Sequence, residues 1–187
     1  MNLMDSFRRS ALFASFLAFS ACANNHGVEV FPSVGAGQLR FRDPASIVAA
    51  KPDTSRFLEP AFPKYPRSFD GISISGTVVE ALVIDTTGHV ELSTVSFLQP
   101  DRSEFTHSVC ASLQKVRFAP ISIQGTKRRA LIIQVHAFVG PGAGSDEAGL
   151  PAAAALRDRA EDEFLRQPIE TTIAKLEPLP HCDTIRP

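Results

Sequence analysis

The rhythm of apolar and polar positions changes several times along the 187-residue chain. Ala11 to Ala21 is a short apolar run behind Arg8 and Arg9, and it gives way to Cys22 and the polar pair Asn24-Asn25. From Cys22 to about Leu58 no period is sustained, because Gly27, Pro32, Gly35, Gly37, Pro44 and Pro52 interrupt it every few residues. Such a stretch predicts a tether with one short ordered piece. Pro60, Pro63 and Pro66 then fall on one edge of a polyproline II helix, which reads as an extended lead-in to folded sequence.

Thr77 to Asp85 (TVVEALVID) is rich in β-branched residues and closes on the turn tetrad Asp85-Thr86-Thr87-Gly88, so it predicts a strand. His89 to Leu98 follows, with Val90, Leu92 and Thr94 alternating against Glu91 and Ser93, which makes the pair a β-hairpin. Ser103 is the expected N-cap of a helix that carries Phe105, Val109, Leu113 and Val116 on one face and stops before Pro120. A turn at Gln124 to Lys127 leads into a third strand, Ala130 to Val139, and Gly140 to Ser145 breaks the chain. Leu150 to Gln167 predicts a second helix with a thin stripe of Leu156, Ala160 and Phe164, and the proline-dotted last twenty residues read as irregular. The expected fold is α+β: a small two-layer domain, a three-stranded antiparallel sheet with a helix on one face, plus a C-terminal helix. Four segments follow: 1–21 as a signal peptide, 22–56 as a tether, 57–140 as the domain, and 141–187 as an acidic helix and tail.

The leader carries the first functional signal. A basic start, a short apolar run and small residues at its end form the order of a signal peptide, and the run is about half of the ~20 residues needed to span a bilayer. Two cuts fit. Ala18 to Cys22 resembles a bacterial lipobox, with Cys22 as the lipidated new N-terminus; Ala21-Cys22-Ala23 also suits ordinary signal peptidase. Ala23 after the lipidated cysteine, by resemblance to lipoproteins, favours outer-membrane sorting. The expectation is an exported protein of the periplasm, lipid-anchored to the outer membrane.

Charge changes the picture in one respect. Twenty acidic side chains stand against nineteen basic ones, so nucleic acid is not an expected partner. The halves differ, however. Residues 101–140 hold six basic and two acidic side chains, whereas residues 141–187 hold five basic and nine acidic. Either the acidic tail folds over the basic Lys127-Arg128-Arg129 turn, or that turn merely protects a sheet edge.

Pro63 to Val139 resembles the TonB C-terminal domain family. The matching pieces are Pro63-Lys64-Tyr65-Pro66, Gly76-Thr77-Val78, Ile84-Asp85 with Gly88 and Val90, the helix from Phe105 to Leu113, the exit Arg117-Phe118-Ala119-Pro120, and Gly125 before a long closing strand. The chain departs from the pattern at Val116, where the family has Trp, at Glu80, where an apolar residue is usual, and by a short insertion within Phe69 to Ser75. The resemblance implies that the last strand pairs with a short segment of a partner, through Arg129, Ala130, Ile132, Gln134, His136 and Phe138. With a short leader and a short tether, the domain is expected without the family's energy-transducing role. The partner is then an envelope protein or an extended peptide, or a second copy in a homodimer.

The remaining chemistry is sparse. With Cys22 acylated, Cys110 and Cys182 are left as an even pair in an oxidising compartment, open to a disulfide or to two free thiols. His107, Cys110, His181 and Cys182 could in principle converge on zinc, but their spacing matches no known finger, so neither a metal nor a cofactor is expected. No G-x-S-x-G elbow, H-E-x-x-H helix, P-loop or G-x-G-x-x-G strand exit is present, so the chain is not expected to be an enzyme.

Overall fold

A computed structural model describes residues 40–50, 56–140 and 149–184. The leader, Cys22 and most of the tether therefore lie outside the described residues.

Ten elements follow in chain order. They are β1 (Ile47–Ala49), β2 (Phe57–Glu59), β3 (Gly76–Ile84), β4 (Ser96–Gln99), α1 (Ser103–Leu113), β5 (Arg117–Phe118), β6 (Ile121–Ile123), β7 (Thr126–Phe138), α2 (Gly149–Phe164) and α3 (Ile169–Leu176). The main sheet runs β1-β7-β3-β4, with β6 also paired to β7; β2 and β5 form a separate antiparallel pair. The class is α+β, as expected, but the sheet has more than three strands and helices cover both of its faces.

The second covered face follows from the composition of β3. Every residue from Val78 to Ile84 is buried, which a one-sided sheet would not allow. Val78, Leu82 and Ile84 point to the α1 face with Phe97, Phe105 and Val109. Val79, Ala81 and Val83 point the other way, against Ala160, Ile173 and Leu176 of α2 and α3. Gly76 opens β3 because a Cβ there would overlap the Asp101 carboxylate and the Phe105 ring. That carboxylate accepts the Thr77 N–H at 2.9 Å, so Asp101 ties the helix entrance to the strand, and α1 itself starts at Ser103 with no side-chain cap.

The expected second strand is interrupted. After Val90, which bridges to Ile84, the chain makes a 3-10 turn over Leu92–Thr94 before β4. The buried Thr94 hydroxyl causes this. It donates to Glu91 O at 2.7 Å and accepts the Val83 N–H at 2.9 Å, standing in for a ladder bond. The β6–β7 turn uses Gln124 (φ 51°) and Gly125 (φ 80°), the pair of left-handed residues that a tight hairpin requires. β7 accordingly begins at Thr126, four residues before its expected start.

The short ordered piece expected in the tether is a strand, and part of the tail expected to be irregular is a helix. Ile47–Ala49 of the expected tether pairs parallel to Arg129–Leu131, with Phe41 fully buried just upstream. Arg40 donates to the carbonyls of Leu176 at 2.5 Å and Glu177 at 2.7 Å, fastening this segment to the C-terminal end of α3. α3 itself was not expected. It starts directly after Pro168, where a missing N–H costs nothing, and buries Ile173 and Leu176. Beyond α3 the tail turns around the outer edge of β4, where Pro180 O accepts the Phe97 N–H at 2.9 Å, and Cys182 is joined to Cys110 of α1 in a disulfide. The tail thus holds the two helical layers together from outside the sheet.

Candidate functional site

Strand edges are where a sheet can accept another chain, so the edges locate the site. The β4 edge is occupied, because Pro180 takes the Phe97 N–H and the Ser96 hydroxyl reaches Leu176 O at 3.3 Å. The first half of β7 is occupied as well: β6 pairs with residues 126–128 and β1 with residues 129–131. Past Leu131 the strand pairs with β3 alone among the described residues.

Which residues offer their backbone to that open side follows from alternation. The Leu131 carbonyl accepts the Ala50 N–H at 2.9 Å, so it points away from β3. In an extended strand the polar groups of Ile133, Val135 and Ala137 then point the same way. Those three residues line a groove of about 570 Å³ along the edge. One wall carries Phe57, Phe62, Leu113 and Val116, and the other carries Ala153 and Arg157 of α2. Phe57 and Phe62 are 45% and 75% exposed, with ring centroids 6.4 Å apart. An apolar groove beside unused backbone hydrogen-bonding groups can take an extended peptide by strand addition, its side chains alternating between the walls.

Five of the six residues that the family resemblance singles out have the other parity. Ala130, Ile132 and Phe138 are buried in the α1-side core, and Phe138 stacks on Phe105 at 4.3 Å. Arg129 is also engaged. It makes paired bonds of 2.6 and 2.5 Å to the Glu91 carboxylate and donates to Arg42 O at 2.6 Å. The bonds to Glu91 lead in raising its pKa above the usual guanidinium value. Its partner is thus on the β3–β4 connection, while the acidic C-terminal segment packs on a sheet face and around β4. Gln134 and His136 are the two of the six that line the groove.

His136 is held by an unusual partner. Glu80 is fully buried in the centre of β3, and its Oε1 lies 2.8 Å from His136 Nε2. Its other oxygen has no hydrogen-bond partner. Burial pushes the Glu80 carboxyl above its usual range, and the imidazole only partly offsets this. For His136 burial acts downward, yet the charge of Glu80 and the hydrogen bond outweigh it, so its pKa also rises. Both shifts mean that the pair keeps its proton to higher pH than a free histidine would. Sequence reading marked both residues but had no signal that would join them across 56 positions.

The other candidates resolve simply. Cys110 and Cys182 are bonded to each other, so their sulfurs are not available together with His107 and His181. Among the described residues no group of three or more His, Cys, Asp and Glu side chains is placed to hold a metal ion. Among the same residues no helix is long and apolar enough to cross a membrane. Cys22 falls outside them. No protein-family model matches the chain, and no curated protein matches it.

Proposed function

We propose that this is a non-enzymatic binding domain of the cell envelope, which captures an extended segment of a partner protein as an added strand on β7. The observation that carries the reading is the open outer edge of residues 132–138, set in an apolar groove on a sheet whose other long edge is covered. An edge of this kind, with no bulge in its pairing to β3, is what soluble proteins otherwise avoid. The resemblance of Pro63 to Val139 to the TonB C-terminal domain supports the same use of the last strand. The leader and Cys22 support export and lipid anchoring at the outer membrane, with the domain facing the periplasm.

Val135→Pro tests the reading. Its lost N–H belongs to the open side, so the β3 ladder keeps its bonds while an incoming strand loses a donor and meets the proline ring. Random decapeptides displayed on phage should enrich on the full chain and fail to enrich on Val135→Pro. Absence of enrichment on the unaltered chain overturns strand capture. A stable dimer in light scattering that Val135→Pro dissociates would instead make a second copy the occupant.

A further inference from the structure

Building on strand capture at this edge, we infer that the groove selects an extended, mainly apolar segment carrying one acidic side chain, whose carboxylate accepts a hydrogen bond from Nδ1 of His136. His136 lines the groove while its Nε2 is tied to Glu80 behind it. Nδ1 makes no hydrogen bond with a described residue, and the side chain is 16% exposed.

The buried carboxylate sets what Nδ1 can do. With the shared proton on the imidazole, both ring nitrogens carry hydrogen. With the proton on Glu80, the carboxyl donates to Nε2 and the neutral ring carries its hydrogen on Nδ1. Nδ1 is a donor in both arrangements, and only loss of that proton would turn it into an acceptor. Both pKa values are raised, so the pair favours keeping that proton. A carboxylate arriving at Nδ1 would favour the imidazolium form and make the new bond charge-assisted.

The rest of the lining agrees in sign. Among the described residues, Arg157 is the only other ionisable side chain on the groove walls, and no carboxylate lines them. Arg157 is paired with Asp158 at 3.4 Å and Glu161 at 3.5 Å, so its charge is already partly matched, whereas no described group meets Nδ1 of His136. A lysine at the same position of the incoming segment would face a donor on one side and a guanidinium on the other, with no anion to meet it. The exposed Phe57 and Phe62 account for the apolar remainder of the segment, since aromatic walls anchor large apolar side chains.

The test uses peptides selected by display on the full chain. Selected sequences should share Asp or Glu at one position among alternating apolar residues. Replacing that acid by its amide should weaken binding about tenfold, the worth of one charge-assisted hydrogen bond. Against the double variant Glu80→Leu with His136→Leu, the same replacement should change affinity less than about twofold. Exchanging a buried pair for apolar residues of similar size is commonly tolerated, so that variant should fold. Selected peptides without acidic enrichment, or an equal loss in the double variant, overturn the inference and leave strand capture standing. If no peptide is selected at all, strand capture fails and the inference with it. Should the double variant not fold, the ring ¹⁵N resonances of His136 decide: Nδ1 must shift with the acidic peptide and not with its amide, and an unmoved resonance overturns the inference.

Discussion

Glu80 and His136 form the least ordinary contact in the protein, because a carboxylate in the middle of a central strand must be matched or neutralised. His136→Leu alone strands the carboxyl group and should cost about 3 kcal/mol in denaturant unfolding, whereas the Glu80→Leu, His136→Leu pair should cost little. The pair also sets a pH dependence. Both pKa values are raised on folding, so the folded chain binds more protons than the unfolded one and stability falls as pH rises. The His136 contribution is complete below the usual imidazole value of 6.5 and is lost as pH climbs through the higher folded value. Arg157 from α2 shares the groove with His136, while Leu113 of α1 and Val116 just beyond it present no charge to it. Melting temperatures taken between pH 6 and 9 should fall in the native chain, and the double variant should lack that part of the slope. The turn at Asp85 has the opposite sense. Slight burial works upward there, but the bonds from Thr87 at 2.7 Å and His89 at 3.0 Å win and hold its carboxyl below the usual range.

Single proline scans across β7 should expose the two sides of that strand. Val135→Pro spares the β3 ladder, whereas Gln134→Pro removes a donor aimed at β3, leaves a buried carbonyl unpaired and should cost about 1–3 kcal/mol more in denaturant unfolding. This asymmetry could not be taken from the sequence. Residues 130–133 are all buried, so the side-chain pattern gives no sign of which backbone parity faces out. β3, α1 and the closing strand were legible because each carries its own period or turn chemistry, as Phe105, Val109 and Leu113 do on α1. β1 was not, since three residues between prolines become a strand only through pairing with Arg129–Leu131. α3 was hidden by reading Pro168 as a breaker, although the residue sits at the N-cap, ahead of the helix and outside its hydrogen bonds. The groove was legible only in part: the strand was expected, but its walls come from Phe57, Leu113 and Ala153, which no local pattern brings together.

At the scale of the whole molecule, the C-terminal segment is part of the fold and not an appendage. Leu176 is fully buried against the second face, and Leu176→Ala should cost about 3 kcal/mol. The Cys110–Cys182 bond closes a span of 72 positions, and removing it with a Cys110→Ser, Cys182→Ser pair should lower stability by about 4 kcal/mol. Guanidinium unfolding of the native and doubly substituted chains measures this; equal midpoints would mean that the tail holds by packing alone. The same arrangement has a mechanical side. A pull on the chain before Arg40 meets first the bonds from Arg40 to the end of α3, then the buried Phe41, then the parallel β1–β7 ladder loaded along its length. Tension from the N-terminal side is therefore delivered along a single load-bearing line to the strand that lines the groove.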